Sequence, residues 1–159
     1  MIFLCYNFIG DIMNYNLRPC TIDDYDFLFK IKIECLKWYV EKIYGWDENA
    51  QREFLKKEMN EKMQYMNIIQ IDNVDIGVTT HFVDKDGNDV VGLIAILPIY
   101  QGRGIGTDII KKYISNADKR IILQVFKDNP ARMLYEKLGF KKYGKTNSHI
   151  LIEINKEEQ

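Results

Sequence analysis

Apolar residues recur along the chain in two rhythms, and the alternation between them predicts a layered domain. Residues 15–20 alternate apolar with polar positions, the period-two pattern of a half-buried strand. Thr21-Ile22-Asp23-Asp24 then predicts a helix start, with Thr21 as cap and acids in the first turn. Beyond it Leu28, Ile31 and Cys35 share one helical stripe and Leu36, Val40 and Ile43 a neighbouring one, until Gly45 breaks the pattern. A second helix is expected from about Asp47 to about Tyr65, carrying Phe54, Leu55 and Met59. Strands over 67–71 and 76–83 flank the turn Asp72-Asn73-Val74-Asp75, and Asp84-Lys85-Asp86-Gly87 is the next turn. The apolar run 90–97 is a buried central strand, followed by a helix over about 107–114 and a strand over 121–125. Asn129-Pro130 opens another helix that Gly139 closes, and strands over 140–145 and 149–154 finish the chain. The order β-α-α-β-β-β-α-β-α-β-β predicts a mixed α/β (α+β) fold: one mostly antiparallel sheet of about six to seven strands, with helices on both faces.

Composition adds bounds rather than detail. The 159 residues suit one domain with a real core, and 47% apolar with 28% charged residues describes an ordinary soluble globule. A net charge of −1 gives no reason to expect nucleic acid or an anionic membrane as partner. Cys5, Cys20 and Cys35 are odd in number and lack metal-ligand spacing, which predicts reduced thiols, a cytoplasmic location and no metal. Residues 1–12 begin apolar without a basic flank and are too short to span a bilayer. They are expected to be an upstream extension, either a misassigned start or a packing arm. The domain is then 13–155, and 156–159 a charged tail.

The candidate chemistry lies where the central strand ends. Leu97-Pro98-Ile99-Tyr100-Gln101-Gly102-Arg103-Gly104-Ile105-Gly106-Thr107 couples a strand, a glycine turn and a helix start. Glycine allows positive φ and close approach, and a helix N-terminus presents unpaired N–H groups, so the segment reads as a phosphate cradle. A Walker A loop is disfavoured because Thr107-Asp108 stands where lysine is needed. A dinucleotide fingerprint is disfavoured because the third glycine comes one residue early. The spacing that fits is Q/R-x-x-G-x-G/A, through Gln101, Gly104 and Gly106. Downstream, Asn129-Pro130-Ala131-Arg132-Met133-Leu134-Tyr135-Glu136-Lys137-Leu138-Gly139-Phe140 follows the strand over 121–125. Together the two motifs resemble the acyl-coenzyme A loop and the following strand–helix of the GNAT family of N-acetyltransferases, and the resemblance runs from about Met13 onward.

The resemblance implies a GNAT-like sheet in which the fourth and fifth strands splay to admit the pantetheine arm of acetyl-coenzyme A. Main-chain N–H groups of roughly Gln101, Gly102, Arg103, Gly104, Ile105 and Gly106 would hold the diphosphate, with Thr107 in the cofactor set, and an N–H near Ile96 or Leu97 the acyl oxygen. Asn129 would hold pantetheine, cap its helix, or do both, and Arg132 joins the cofactor set. Arg103, Lys111, Lys112 and Lys127 are either phosphate ligands or the solvated faces of two helices. Tyr135 occupies the family's general-acid position, where a phenol of pKa near 10 suits a departing thiolate; its other reading is a core tyrosine. The strand 90–97 lacks the carboxylate that many relatives use as base, leaving His81, Glu41 and Glu34, with His149 weaker. Glu34, Trp38, Glu41, Tyr44 and Trp46 are the expected acceptor site, by cation–π and carboxylate contacts, or else an aromatic helix corner. A covalent cysteine route is disfavoured because no cysteine lies near either motif. The implied reaction is acetyl transfer to a primary amine by direct attack in a ternary complex. The partners are acetyl-coenzyme A and an amine of a small metabolite, an aminoglycoside-like compound or a peptide, with a homodimer as a further expectation. The alternative is a non-catalytic acyl-coenzyme A-binding module of the same fold.

Overall fold

A computed structural model describes residues 14–158. The extension expected over 1–12, with Cys5, lies outside the described residues. The chain runs β1 (Asn16–Pro19), α1 (Tyr25–Ile31), a π-helical turn (Lys32–Leu36), α2 (Lys37–Tyr44), α3 (Glu48–Lys62), β2 (Met66–Ile71), β3 (Val74–Val83), β4 (Asp89–Ile96), α4 (Ile105–Asn116), β5 (Arg120–Phe126), α5 (Ala131–Lys137), β6 (Lys141–Lys145) and β7 (His149–Asn155). The expected first helix is thus α1 and α2 joined through the π turn.

Local chemistry explains the boundaries. The Asp24 carboxylate accepts from the Thr21 amide at 2.7 Å and from both terminal nitrogens of the Arg18 guanidinium, closing the entry to α1. That guanidinium also reaches Asp75 at 2.7 Å, joining β1 to the start of β3. Asp47 caps α3 by accepting from the Ala50 amide at 2.7 Å. The stripe of Leu28, Ile31 and Cys35 is buried as expected, but the neighbouring one is not: Ile43 is exposed. The wider π turn displaces the helical register, and beyond it Tyr39 is the residue that points inward.

Among the described residues the sheet has seven strands, in the order β1-β2-β3-β4-β5-β7-β6, with β1 and β6 at its edges. Every neighbouring pair is antiparallel except β4 and β5, which α4 connects as a parallel crossover. On one face α4 and α5 bury Ile105, Ile109, Ile110, Ala131 and Tyr135 against Ile94, Ile121, Val125 and Ile152. On the other, α1 and α3 bury Leu28, Phe29, Ile31, Leu55 and Met59 against Ile68, Val78, Ala95 and Leu97. A bulge at Gly92, between the pairs His81↔Val91 and Thr80↔Leu93, adds one residue to β4 and turns the strand at mid-length. The tail also differs from expectation: residues 156–158 form a 3-10 turn pinned by the Lys156 amide to the Lys119 carbonyl at 2.8 Å.

Ile110 has no exposed surface and sits between α4 and the sheet. Ile110→Ala is expected to destabilise the fold by about 2–5 kcal/mol, measured by urea unfolding.

Candidate active site

β4 and β5 are hydrogen-bonded over three residue pairs only, from Asp89↔Ile121 to Val91↔Leu123. Beyond Val91 they part, while β5 stays zipped to β7 as far as Phe126↔His149. The gap therefore opens along β4. Which β4 groups face it follows from the antiparallel alternation with β3. The Leu97 amide donates to the Ile76 carbonyl at 2.8 Å, so Leu97 is turned toward β3. Two-residue periodicity then turns Ile96 and Ile94 the other way, toward the missing partner. Leu97, expected as an acyl-oxygen donor, is corrected on this ground: its N–H is already bonded within the sheet. Ile96 remains, and Ile94 joins it. The Ile96 carbonyl accepts from Gln101 Nε2 at 2.7 Å and from Cys35 Sγ at 3.3 Å.

The glycine loop begins with a 3-10 turn, Pro98–Tyr100, in which the Gln101 amide donates to the Pro98 carbonyl at 3.2 Å. Gln101 is therefore corrected as well; its amide is engaged and its side chain braces the β4 end. Gly102 and Gly104 adopt φ of 75° and 79°, which turns the chain sharply into α4. The first helical bond runs from the Asp108 amide to the Gly104 carbonyl at 2.9 Å. Among the described residues nothing accepts from the amides of Ile105, Gly106 or Thr107. These are donors without acceptors at the positive end of a 12-residue helix, beside the gap.

Side chains near this cradle divide. The Arg103 guanidinium lies over the Tyr100 ring at 5.2 Å and donates to the Ile99 carbonyl at 3.1 Å. Lys112 is held by Asp108 at 2.7 Å and by the Tyr15 hydroxyl, which keeps its ammonium pKa above the usual lysine value. Lys127 donates to the Asn147 carbonyl at 2.8 Å. Lys112 and Lys127 thus have structural duties, and Lys111 is exposed. Asn129 is buried at the end of β5: its Oδ1 accepts from the Ala131 amide at 2.9 Å, whereas its Nδ2 has no partner. An orphaned buried donor is rare and costs about 1–3 kcal/mol unless something completes it. Tyr135 is 1% exposed, edge-on to Phe140. Arg132 lies on the outer flank of α5, paired with Glu136 at 2.9 Å.

On the opposite face, α2 leans over the open end of β5. The Tyr39 ring stacks on Phe126 at 4.9 Å, Phe126 stacks on His149 at 4.1 Å, and Trp38 meets Tyr39 edge-on at 4.8 Å. The Tyr44 hydroxyl donates to Ser148 Oγ at 2.8 Å, and Ser148 Oγ lies 2.7 Å from His149 Nδ1. Lys42 pairs with Asp128 at 2.5 Å. Trp38 and Tyr44 are thereby brought to the gap's mouth, with Glu41 exposed between them. Glu34 is also exposed, 3.8 Å from Lys30, and Trp46 packs in the other cluster under the Lys37 ammonium. His81 is not brought to the gap. It bonds Asp89 at 2.8 Å, stacks on Tyr113 at 4.4 Å and sits opposite Val91, where β4 and β5 are still zipped.

Cys35 corrects a distance argument: remote from both motifs in sequence, it touches the gap's edge in space. Burial pushes its thiol up to about 12, so no thiolate nucleophile is present at neutral pH. Among the described residues no three His, Cys, Asp or Glu side chains gather as metal ligands, and no helix is long and apolar enough to cross a membrane.

The comparisons agree with this geometry. Residues 39–151 match the model of the acetyltransferase (GNAT) domain. The [ribosomal protein bS18]-alanine N-acetyltransferase of Haemophilus influenzae is 30% identical over 110 residues, 63% of this chain and 73% of that one. Among solved structures, the PaiA N-acetyltransferase of Thermoplasma acidophilum in complex with coenzyme A has a TM-score of 0.68 at 17% identity, covering 90% of this chain and 99% of that one. An acetyltransferase of Thermus thermophilus has a TM-score of 0.69 at 16% identity, covering 91% and 98%.

Cys20 and Cys35 are both buried, with thiols pushed up to about 11 and about 12 mainly by desolvation. Iodoacetamide at pH 7 is expected to modify neither in the folded protein and both in urea, as read by peptide mass mapping; labelling of native Cys35 would reopen a covalent route.

Proposed function

Because the chain belongs to the GNAT acetyltransferase family, we propose that it transfers the acetyl group of acetyl-coenzyme A to a primary amine by direct attack in a ternary complex. The observation that carries this reading is the parting of β4 and β5 beside the unpaired amides of the glycine loop. The donors present fit coenzyme A. A diphosphate suits the amides of Ile105, Gly106 and Thr107, and an amide carbonyl of the pantetheine arm suits the orphaned Asn129 Nδ2. The thioester brings an activated acyl carbon and a good leaving group; the rest is done by this chain.

Negative charge grows on the acyl oxygen as the amine attacks, and fixed N–H donors lower that barrier. The Ile94 and Ile96 amides, turned into the gap and held by the β3 pairing, serve here without any side chain. Tyr135 protonates the departing thiolate; its burial against Phe140 excludes water that would otherwise compete as donor. Cys35 is protonated and buried, which disfavours it as the nucleophile of a covalent acyl-enzyme. Tyr44 offers an exposed ring face to a cationic acceptor, and Trp38 already carries the Lys42 ammonium over its ring at 5.0 Å, the same kind of contact. The acceptor panel includes peptide N-termini, since the Haemophilus relative is named for an alanine of a ribosomal protein.

The deciding experiment measures thiol release from acetyl-coenzyme A with small amines, aminoglycosides and peptides. Tight coenzyme A binding with no release on any amine would leave a binding module instead. Gly104→Asp places a carboxylate at the cradle and is expected to weaken coenzyme A binding at least about tenfold by calorimetry, with the fold retained; unchanged affinity would remove the loop from the site. Tyr135→Phe is expected to lower turnover about 10²-fold with coenzyme A affinity kept, and an unimpaired rate would return Tyr135 to the core.

A further inference from the structure

An amine acceptor reaches the site mostly as ammonium, with a pKa near 10, and must lose a proton before it can attack. The groups first expected to take it are poorly placed. His81 is locked to Asp89 at the zipped end of β4, on the α4 face. Glu34 and Glu41 stand in solvent. On the open stretch of β5, Gln124 is exposed beside the gap but carries an amide, which cannot act as a base.

Building on the acetyl transfer proposed above, we propose that His149 is the base that accepts the acceptor's proton at Nε2, with Ser148 as the positioning residue at Nδ1. His149 opens β7 directly across from Phe126, the last residue of β5 beyond the point where β4 leaves. Its ring is fixed on the acceptor face by stacking on Phe126, itself stacked on Tyr39. Ser148, 6% exposed, accepts from the Tyr44 hydroxyl and meets Nδ1 at 2.7 Å, leaving Thr146 Oγ1 at 3.5 Å to take its own hydrogen. In that arrangement Nδ1 carries the proton and Nε2 a lone pair, and Nε2 has no partner among the described residues. Burial lowers the imidazole pKa below its usual value, so the base is neutral at pH 7.

The protons balance. The ammonium gives its first proton to Nε2, and the imidazolium keeps its Nδ1–H bond to Ser148. The amine nitrogen then forms the C–N bond, the C–S bond breaks, and the thiolate takes the Tyr135 proton. The second nitrogen proton restores Tyr135, and the first leaves His149 for solvent. The other titratable or charged groups on the packed elements are Lys37, Tyr39, Glu41, Lys42 and Tyr44 on α2, Arg120 on β5, Lys127 and Asp128 after it, Lys141, Lys142, Tyr143 and Lys145 on β6, and Glu153 on β7. Lys42 is neutralised by Asp128 and Glu153 by Arg120.

The test combines a pH profile with direct observation of the ring. The wild-type kcat/KM should fall as pH drops through the His149 pKa, and His149→Gln should lose about 10²-fold at pH 7 together with that limb, with coenzyme A affinity unchanged. Ser148→Ala removes the acceptor that favours the imidazolium and should move the limb to lower pH. Nitrogen-15 NMR of the unmodified protein, which has two histidines, should show His149 as the Nδ1–H tautomer with a pKa below 6.5. An Nε2–H tautomer, or a His149→Gln enzyme that keeps its rate and limb, would overturn the assignment while leaving acetyl transfer intact. A wild-type protein that binds coenzyme A but acetylates no amine would instead overturn the transfer reading, and the base with it.

Discussion

The separation of β4 from β5 after Val91 and Leu123 is the constraint on which the rest depends. Parallel neighbours in mid-sheet normally pair to their ends, because every unpaired backbone group buried there costs free energy. Here the open edge is handled group by group. The Ile96 carbonyl is met by Gln101 Nε2 and Cys35 Sγ, drawn from the loop after β4 and from the π turn between α1 and α2. Among the groups left uncovered are donors: the outward amides of β4, those of the α4 first turn and Asn129 Nδ2. Unmatched donors of this kind suit a ligand that brings acceptors, which is the ground for the coenzyme A reading proposed above.

The sheet divides the labour between its faces. On the α4 face lie the glycine turn and the helix start proposed above to hold phosphates, and the apolar cluster around Ile105 and Ile109 packs that helix against β4. On the α2 face, a run of rings from Trp38 through Tyr39 and Phe126 to His149 makes a continuous aromatic wall. The two histidines show how much this division decides. His81 faces α4 and is absorbed by Asp89 and Tyr113, whereas His149 faces α2 with one ring nitrogen held by Ser148. The same side chain is tied to a carboxylate on one face and to a hydroxyl on the other.

Much of this was legible in residue order. Period-two and helical spacing located all seven strands and the helices, because burial of one face imposes those periods locally. The glycine loop was legible because positive φ and a helix start are demands that a few adjacent residues must meet. Less legible were the π turn, which moved the buried position of α2 to Tyr39, and the pinning of residues 156–158 to the start of β5. Both depend on contacts with distant segments.

The amino-acid sequence by itself therefore determined the order of elements, the glycine turn into α4 and the family resemblance, since each rests on interactions between near neighbours. Tertiary structure decided which of those residues are available. It showed the Leu97 and Gln101 amides already engaged, brought Cys35 to the edge of β4, and set His149 against Phe126 and Tyr39. These outcomes turn on strand register and on which face a side chain takes. A shift of one residue reverses the face, and only pairing across the sheet settles it.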